Sequence, residues 1–549
     1  MRTSLLGAGL VLAAAIAGPT LVRGQPKPSH DRQLTVFYSG DVRGTLEPCG
    51  CTSDPLGDVA RYAALVRAAQ RSGPTLLVDG GGLSFPESAS AKEKAANDLR
   101  AKFLGKTLQA LGPFAAGLAE NDISAGHGEV TPRRLAVNFS RSPAIVPSEL
   151  KTIGDVRVGI FGVADPALAT RVGAQAEDPV PAAKREVARL RSAGAELVIA
   201  LVPLDRPTAR RLARAAAPDL IVLGRQVGSG QARAEQVGST FLVAAAEELA
   251  RVGRIDVVLR GTGALTDAGG PDAAALRRVE IDAAAARLDE ELARWSSSSS
   301  SNAGADPGFL AAKRRERAEL DDEKKNLERP WTPPATGSYF TNRLIPLRRS
   351  LPRDEKTAGE MRRLDAQVAA INLRNAPPPA PREPGRAYFV GDAKCSPCHK
   401  EALTFWKGTV HAEAWQTLVE VGKENDYKCT GCHVTGYGQV GGSSLGHTDH
   451  LRDVQCEVCH GPGSIHVAEK GLEEPASVHR EAPASTCIGC HTEQHSDTFQ
   501  YEAYLRDILG AGHGAAARAK LGDGPTGHGL RSAALARAKA AGAAEAQKL

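Results

Sequence analysis

One pentapeptide pattern, repeated four times near the C-terminus, limits what this chain can become more than any other feature. C-x-x-C-H occurs at Cys395-Ser-Pro-Cys398-His399, Cys429-Thr-Gly-Cys432-His433, Cys456-Glu-Val-Cys459-His460 and Cys487-Ile-Gly-Cys490-His491. In this pattern two thiols add across the vinyl groups of a porphyrin as thioethers, and the adjoining histidine gives the iron its proximal nitrogen. Cysteine knuckles also build structural zinc sites, but zinc has no need of a histidine after every second cysteine. All four have one. The reading is four covalently bound haem c groups, tethered by the eight cysteines and held through iron by His399, His433, His460 and His491.

From Tyr388 to His513 the chain offers about 31 residues per motif, too few to build an ordinary apolar core around each. The porphyrins are therefore expected to be the core, wrapped by short helices and loops, and close enough to exchange electrons. Of the two methionines, Met1 lies in the leader and Met361 before the haem segment, so His/Met ligation is not expected. Twelve of the fourteen histidines fall between His399 and His528. Beyond the four proximal ones, His411, His447, His450, His466, His479, His495, His513 and His528 are the candidate distal ligands, and bis-histidine iron of low potential is the expectation. His411 follows the first motif by twelve residues, His466 follows His460-Gly461-Pro462-Gly463, and His479 precedes the fourth motif by eight.

The other residues make up most of the 549 and are too many for one domain. A net charge of +5 does not call for nucleic acid as a partner. Residues 1–24 read as an export signal: Arg2, an apolar core from Leu5 to Ala17, then small residues. That core is shorter than the ~20 residues a spanning helix needs. No transmembrane segment is expected after signal removal, and the location is the periplasm, exported and soluble. Cys49 and Cys51, in Pro48-Cys49-Gly50-Cys51, are the only cysteines outside the motifs. They are either a thiol or metal site at a strand end or a small surface disulfide that a one-residue spacing would strain.

From Gln33 onward strands and helices alternate. Leu34–Tyr38, Thr75–Val78, Val156–Phe161, Glu196–Leu201, Leu220–Leu223 and Thr240–Val243 read as strands, and Arg61–Arg71, Ala182–Ser192 and Pro207–Ala216 as helices. The expected organisation is multidomain: an α/β layered sandwich at 31–265, a helical connector with a Pro-rich linker at 270–384, a mainly α and irregular multihaem domain at 385–515, and an Ala-rich tail at 516–549, loose helix or disordered. Within the connector a helical hairpin is expected around the serine run Ser296 to Ser301. Ser338–Thr341 and Leu344–Leu347 are expected as a strand pair, and Lys356–Leu373 as a helix.

Asp41 after the first strand, Leu56-Gly57-Asp58-Val59-Ala60-Arg61, the turn Leu76–Gly82 and Asn121 together resemble the 5′-nucleotidase type of the calcineurin-like metallophosphatases. Members bind two metal ions through Asp and His at strand ends. Here Arg43 stands where the first motif would have His, Gly82 where a bridging Asp is expected, and Asp122 in place of the His of an Asn-His pair. Pro203 and Arg225 also fall where histidines are usual. Two cations held ~3.5–4 Å apart need several anionic or imidazole ligands. The resemblance therefore implies the fold without its hydrolytic centre, left for docking, binding or scaffolding.

The haem segment is similar to the tetrahaem cytochrome c-554 family of ammonia-oxidising bacteria. The match runs through Cys395–Lys400, Trp406-Lys407, His411-Ala412, Cys429 to Gln439, Gly441-Gly442 and Cys456 to Gly463. In that family three haems are bis-histidine and the haem of the second motif is five-coordinate. The resemblance implies that His411, His466 and His479 are distal ligands and that the iron held by His433 is open, with His447 and His450 as the side chains that could close it. Two functions follow as expectations. One is a non-enzymatic electron carrier serving a periplasmic or membrane-bound redox protein, with no catalytic residue. The other is a redox enzyme acting on a small nitrogen or sulfur species at the His433 haem.

Overall fold

In the computed structural model of the chain, the described residues are 31–48, 50–88, 90–123, 133–140, 144–225, 228–261, 263–297, 307–472 and 475–546. The export-signal segment, Cys49 and part of the serine run lie outside them.

The α/β part is built on two six-stranded sheets. The first contains β1 (Arg32–Ser39), β2 (Thr75–Asp79), β3 (Phe114–Ala116), β12 (Arg251–Leu259), β13 (Thr266–Asp267) and β14 (Tyr339–Pro346), in the order β13-β14-β12-β1-β2-β3. The second contains β6 (Ser148–Ile153), β7 (Val156–Gly162), β8 (Leu197–Val202), β9 (Leu220–Leu223), β10 (Glu235–Val237) and β11 (Thr240–Ala244), in the order β10-β11-β9-β8-β7-β6. A short parallel pair, β4 (Arg134–Leu135) with β5 (Ile145–Val146), stands beside them. Side chains alternate across a strand. Leu34, Val36 and Tyr38 of β1 accordingly meet Val158 and Ile160 of β7 and Ile199 of β8 between the sheets. The alternate residues Phe37 and Leu77 face outward onto α1 (Val59–Ser72), α2 (Lys94–Ala110) and α7 (Glu355–Arg374). On the far side, Val198 and Ile221 pack against α3 (Pro179–Ser192) and α4 (Arg206–Ala216). The result is a four-layer α/β sandwich, as the sequence leads one to expect.

Helix starts follow local chemistry. Asp58 accepts from the N–H of Ala60 at 2.7 Å, Asp178 from Val180 at 2.9 Å and Asp205 from Thr208 at 2.7 Å. Each uses a carboxylate for donors that the first helical turn leaves unpaired.

The sheet draws in residues well beyond 265. The strand pair expected near residues 338–347 is one strand, β14, antiparallel to β12 from Arg251↔Pro346 to Val258↔Tyr339. Met361, Leu364 and Val368 of α7 then join the core on the outer face of the first sheet. Between these lie α5 (Pro271–Ser297) and α6 (Pro307–Leu327), an antiparallel hairpin tied by Arg277–Glu323, Arg317–Asp289 and Lys324–Asp282.

The C-terminal region is a chain of short helices: α8 (Asp392–Cys395), α9 (Lys400–Trp406), α10 (Ala414–Val421), α11 (Tyr427–Thr430), α12 (Cys456–His460), α13 (Ser464–Ala468), α14 (Ala484–Ile488) and α15 (Tyr501–Ile508). The Ala-rich tail forms α16 (Ala515–Lys520) and α17 (Gly527–Ala546). α17 is anchored at Asp507, whose carboxylate accepts from the His528 N–H at 2.6 Å. Among the described residues no helix is long and apolar enough to cross a membrane.

Candidate haem site and the strand ends of the sandwich

Each C-x-x-C-H motif forms about one helical turn. The His399 N–H donates to Cys395 O at 3.0 Å, His491 to Cys487 O at 2.9 Å, and the third motif coincides with α12. On a helix, positions three and four apart share a face. The two sulfurs and the imidazole of one motif therefore address the same ligand. The motifs are also close to one another: the Cys395 thiol lies near that of Cys456, and the Cys490 thiol near that of Cys432.

Buried polar residues frame these turns. Glu457, inside the third motif, accepts from the backbone N–H groups of Val390, Gly391 and Gly463 at 2.7–3.0 Å. Gln455 accepts from Asp392 N–H at 2.9 Å and donates to the carbonyls of His450 and Arg452. The first and third motifs are thus fastened together by side chains the sequence reading passed over. The available signal was a carboxylate inside an otherwise apolar motif.

Histidines meet in pairs. The rings of His399 and His466 stand 6.3 Å apart between centres at 29°, His411 and His491 6.2 Å at 48°, and His460 and His513 6.1 Å at 90°. An imidazole nitrogen binds a first-row metal at about 2.0 Å, so two rings sharing one ion stand roughly 6 Å apart between centres. The spacing fits an iron between each pair.

Tautomers fit as well. Nδ1 of His433 faces Ala414 O at 2.5 Å, that of His460 faces His479 O at 2.8 Å, and that of His513 faces Ile508 O at 2.8 Å. A carbonyl can only accept, which puts the proton on Nδ1 and leaves Nε2 bare for a metal. Burial, with His491 alongside, pushes His411 down to about 4 and lowers His460 and His491 too, favouring the neutral form that coordinates. Val410, next to His411, is 78% exposed, and Ile488, inside the fourth motif, is 55% exposed, where porphyrin would cover them.

The structure places His411 and His466 opposite motif histidines. Opposite His460 it places His513, while His479, the third distal ligand implied by the resemblance, meets His460 through its backbone. The His479 carbonyl takes the His460 Nδ1 proton and the His479 N–H donates to His460 O at 2.9 Å. Residue 479 thus lies along the Nδ1 edge of the ring, away from Nε2. His513 arrives from a turn closed by reciprocal bonds with Gly510. Among the described residues no second imidazole packs against His433. His447, His450, His495 and His528 are exposed, and His450 sits beside Gly391 at the start of α8.

At the other end of the chain the C-terminal strand ends of both sheets have closed on one another. A Cβ on Gly224 would lie 2.1 Å from Gly80 O, one on Gly81 2.8 Å from Pro203 Cβ, and one on Gly82 3.1 Å from Asp41 Oδ1. Arg43 covers the place where cations would sit. Its guanidinium pairs with both oxygens of Asp41 at 2.8 and 3.1 Å, with Glu87 at 3.1 Å and with Glu247 at 3.0 Å. Asp122 is wholly buried and committed: it accepts from the N–H groups of Gly82, Leu83, Ser84 and Ala119, and pairs with buried Arg134 at 3.0 Å. Among the described residues no group of three or more His, Cys, Asp or Glu could hold a metal ion. These donors do not suit a dinuclear centre.

The cytochrome region is seated beside this closed edge. Arg100 of α2 pairs with Asp426, the N-cap of α11, at 2.7 Å. Lys423 pairs with Glu47 at 2.8 Å and with Asp365 of α7 at 2.6 Å.

Residues 394–461 match the cytochrome c554 and c-prime family. Cytochrome c-554 of Nitrosomonas europaea is 42% identical over 93 residues, which cover 14% of this chain and 40% of that protein. The chain thus spans well under two thirds of that relative. Among solved structures, a 5′-nucleotidase precursor from Thermus thermophilus is 16% identical at a TM-score of 0.42, over 71% of this chain and 68% of the other. A sulfate thiohydrolase from the same species is 13% identical at 0.40, over 61% and 60%. Over residues 394–461 the chain is thus similar to the cytochrome c554 and c-prime family.

Proposed function

We propose that this chain is an exported electron carrier with four covalently bound haems, seated on an α/β domain that performs no hydrolysis. The observation that carries the reading is the three facing imidazole pairs at 6.1–6.3 Å, each containing one C-x-x-C-H histidine. Haem iron, when bound, supplies reversible one-electron chemistry, and two imidazoles keep its potential low relative to His/Met ligation. The eight motif cysteines would tether the porphyrins. His399 with His466, His491 with His411, and His460 with His513 would hold the iron, with His513 in the role the resemblance gave to His479. The Nδ1 bonds of His433, His460 and His513 would fix ring orientation and hold the proton away from the metal-binding nitrogen. Thioether-bound haem supports a periplasmic location, and a periplasmic or membrane-bound redox protein is the fitting partner.

The test is spectroscopic. Four haems per chain are expected, three of them low-spin. His513→Ala should turn one low-spin signal high-spin, whereas His479→Ala should turn none. Protein that carries zinc, or no iron, after expression in a host that matures such cytochromes overturns the reading.

One observation favours a second reading. His433 has its Nδ1 satisfied and, among the described residues, no imidazole facing it, which suits an open iron able to take a small nitrogen or sulfur species. Carbon monoxide added to the reduced protein separates the two: an unchanged spectrum removes the enzyme reading, and one shifted haem of four supports it.

A further inference from the structure

One contact between the two regions leads directly to an axial histidine. The His491 ring lies nearly parallel to Phe499 at 4.8 Å and edge-on to Tyr504 at 5.2 Å. Its Nδ1 is 3.0 Å from Ser496 Oγ. Ser496 is buried, with its N–H bonded to Thr492 O at 2.7 Å and its carbonyl to the Phe499 N–H at 3.0 Å. The next residue, Asp497, is exposed on its own side but gripped by the sandwich. Ser53, buried in the loop after β1, donates its N–H to Asp497 Oδ1 at 3.0 Å and its hydroxyl to Asp497 Oδ2. That loop is pinned from a third direction, since Arg531 of α17 donates to the Cys51 carbonyl at 2.7 Å.

We propose that Ser53 is a positioning residue for the fourth haem motif: by fixing Asp497 it fixes the Ser496 hydroxyl that orients His491, so the sandwich sets the electronic state of the haem tethered at Cys487 and Cys490. This rests on the reading of His491 as an axial ligand. Glu493, Gln494, His495 and Asp497 are all exposed, so the turn that carries Ser496 is held mainly by hydrogen bonds, including Tyr504 Oη at 3.3 Å from Ser496 Oγ. Its two-point, charge-assisted attachment to Ser53 supplies what packing does not. A hydrogen bond at Nδ1 makes an axial imidazole more basic and fixes its rotation about the metal bond. Loosening it favours the reduced iron, and the potential rises.

The experiment is a potentiometric titration of the full-length, haem-loaded protein, read alongside the low-spin signals in electron paramagnetic resonance. In Ser53→Ala one of the four steps should move upward and the other three stay. Asp497→Asn should move the same step, Ser496→Ala should move it further, and Ser53→Thr, which keeps the hydroxyl, should restore it. If Ser496→Ala moves a step while Ser53→Ala and Asp497→Asn move none, the link from the sandwich is overturned and the ligand reading stands. If none of the variants moves a step, the inference is likewise overturned. If His491→Ala leaves every low-spin signal intact, the ligand reading fails and takes the inference with it.

Discussion

In the sandwich, Leu34, Val36 and Tyr38 of one sheet close against Val158, Ile160 and Ile199 of the other, all almost wholly buried. In the C-terminal region, by contrast, Val410 beside His411 and Ile488 inside the fourth motif face outward. Every hydrophobic core cluster of the described residues lies between Leu34 and Val368, and none reaches the four motifs. What the cytochrome region has instead is a buried polar frame. Thr435 donates to Asp453 O at 2.8 Å and accepts from Gln455 N–H at 3.1 Å, Ser443 donates to Thr435 O at 2.7 Å, and Glu457 collects the N–H groups of two distant segments. Hydrogen bonds choose a geometry but contribute only about 1 kcal/mol each once water is counted. Apolar burial is the larger source of stability. The sandwich owns its core, while the cytochrome region owns a mould whose filling is the tethered porphyrin.

Haem loss is the largest test of that difference. Expressed where haem cannot be attached, the chain should yield a protease-resistant fragment ending near α7, with residues 385–515 digested. Limited proteolysis followed by mass measurement reads this directly. Replacing one cysteine pair, such as Cys487→Ala with Cys490→Ala, should remove one haem mass and leave the sandwich melting unchanged. If residues 385–515 resist protease without haem, the contrast between the two regions fails.

A smaller effect belongs to the sandwich alone. Asp122 and Arg134 form a fully buried pair, and removing one partner of such a pair costs about 3–5 kcal/mol because the other charge is stranded. Asp122→Ala also leaves the N–H groups of Gly82, Leu83, Ser84 and Ala119 without their acceptor. Thermal melting of the sandwich should drop accordingly while the haem absorbance spectrum holds. A drop in both would mean that the two regions fold as one unit rather than as a core and a mould.

How much of this could be read from the sequence also differs between the regions. The sandwich strands were legible because buried strands such as Leu197–Val202 are unbroken apolar runs, whereas the helix starts, capped by Asp178 and Asp205, fall one to three residues before those expected. β14 was harder to read: it pairs with β12 across some eighty intervening residues, and only the register makes Tyr339–Pro346 a single strand. In the C-terminal segment the four C-x-x-C-H motifs were legible as single turns, since their spacing puts the two sulfurs and the imidazole on one face. Which histidine rings face the motif histidines was not. The resemblance implies His479, but which ring comes to face a motif histidine depends on the folded path that brings each loop back. The local clue at His513 is its run of glycines: Gly512 and Gly514 both have φ near +75°, and a Cβ at Gly510 would strike Phe405. The closed strand ends were legible as missing ligands. That Arg43 would neutralise what remained needed the structure.

The finest test of the sandwich as a self-sufficient core lies in its buried carboxyl, Asp79. Burial is the main cause pushing it up to about 6; Asp122 adds to the rise, and the Ser39 hydroxyl and Gly81 N–H offset part of it. An unfolded Asp titrates near 3.9, so between about pH 4 and pH 6 the native state binds the extra proton. Stability from this group is therefore complete below about pH 4 and is lost as pH rises through about 6, amounting to about 2–3 kcal/mol by neutrality. Asn at this position can still accept from Gly81 and donate to Ser39, and it carries no charge to desolvate. Asp79→Asn should thus be more stable than the parent at pH 7 by up to about 3 kcal/mol and nearly equal to it at pH 4. Denaturant unfolding of the sandwich across that range gives the answer. An identical slope in parent and variant would mean that Asp79 ionises freely, and the edge beside Arg43 would then be wetter than its packing implies.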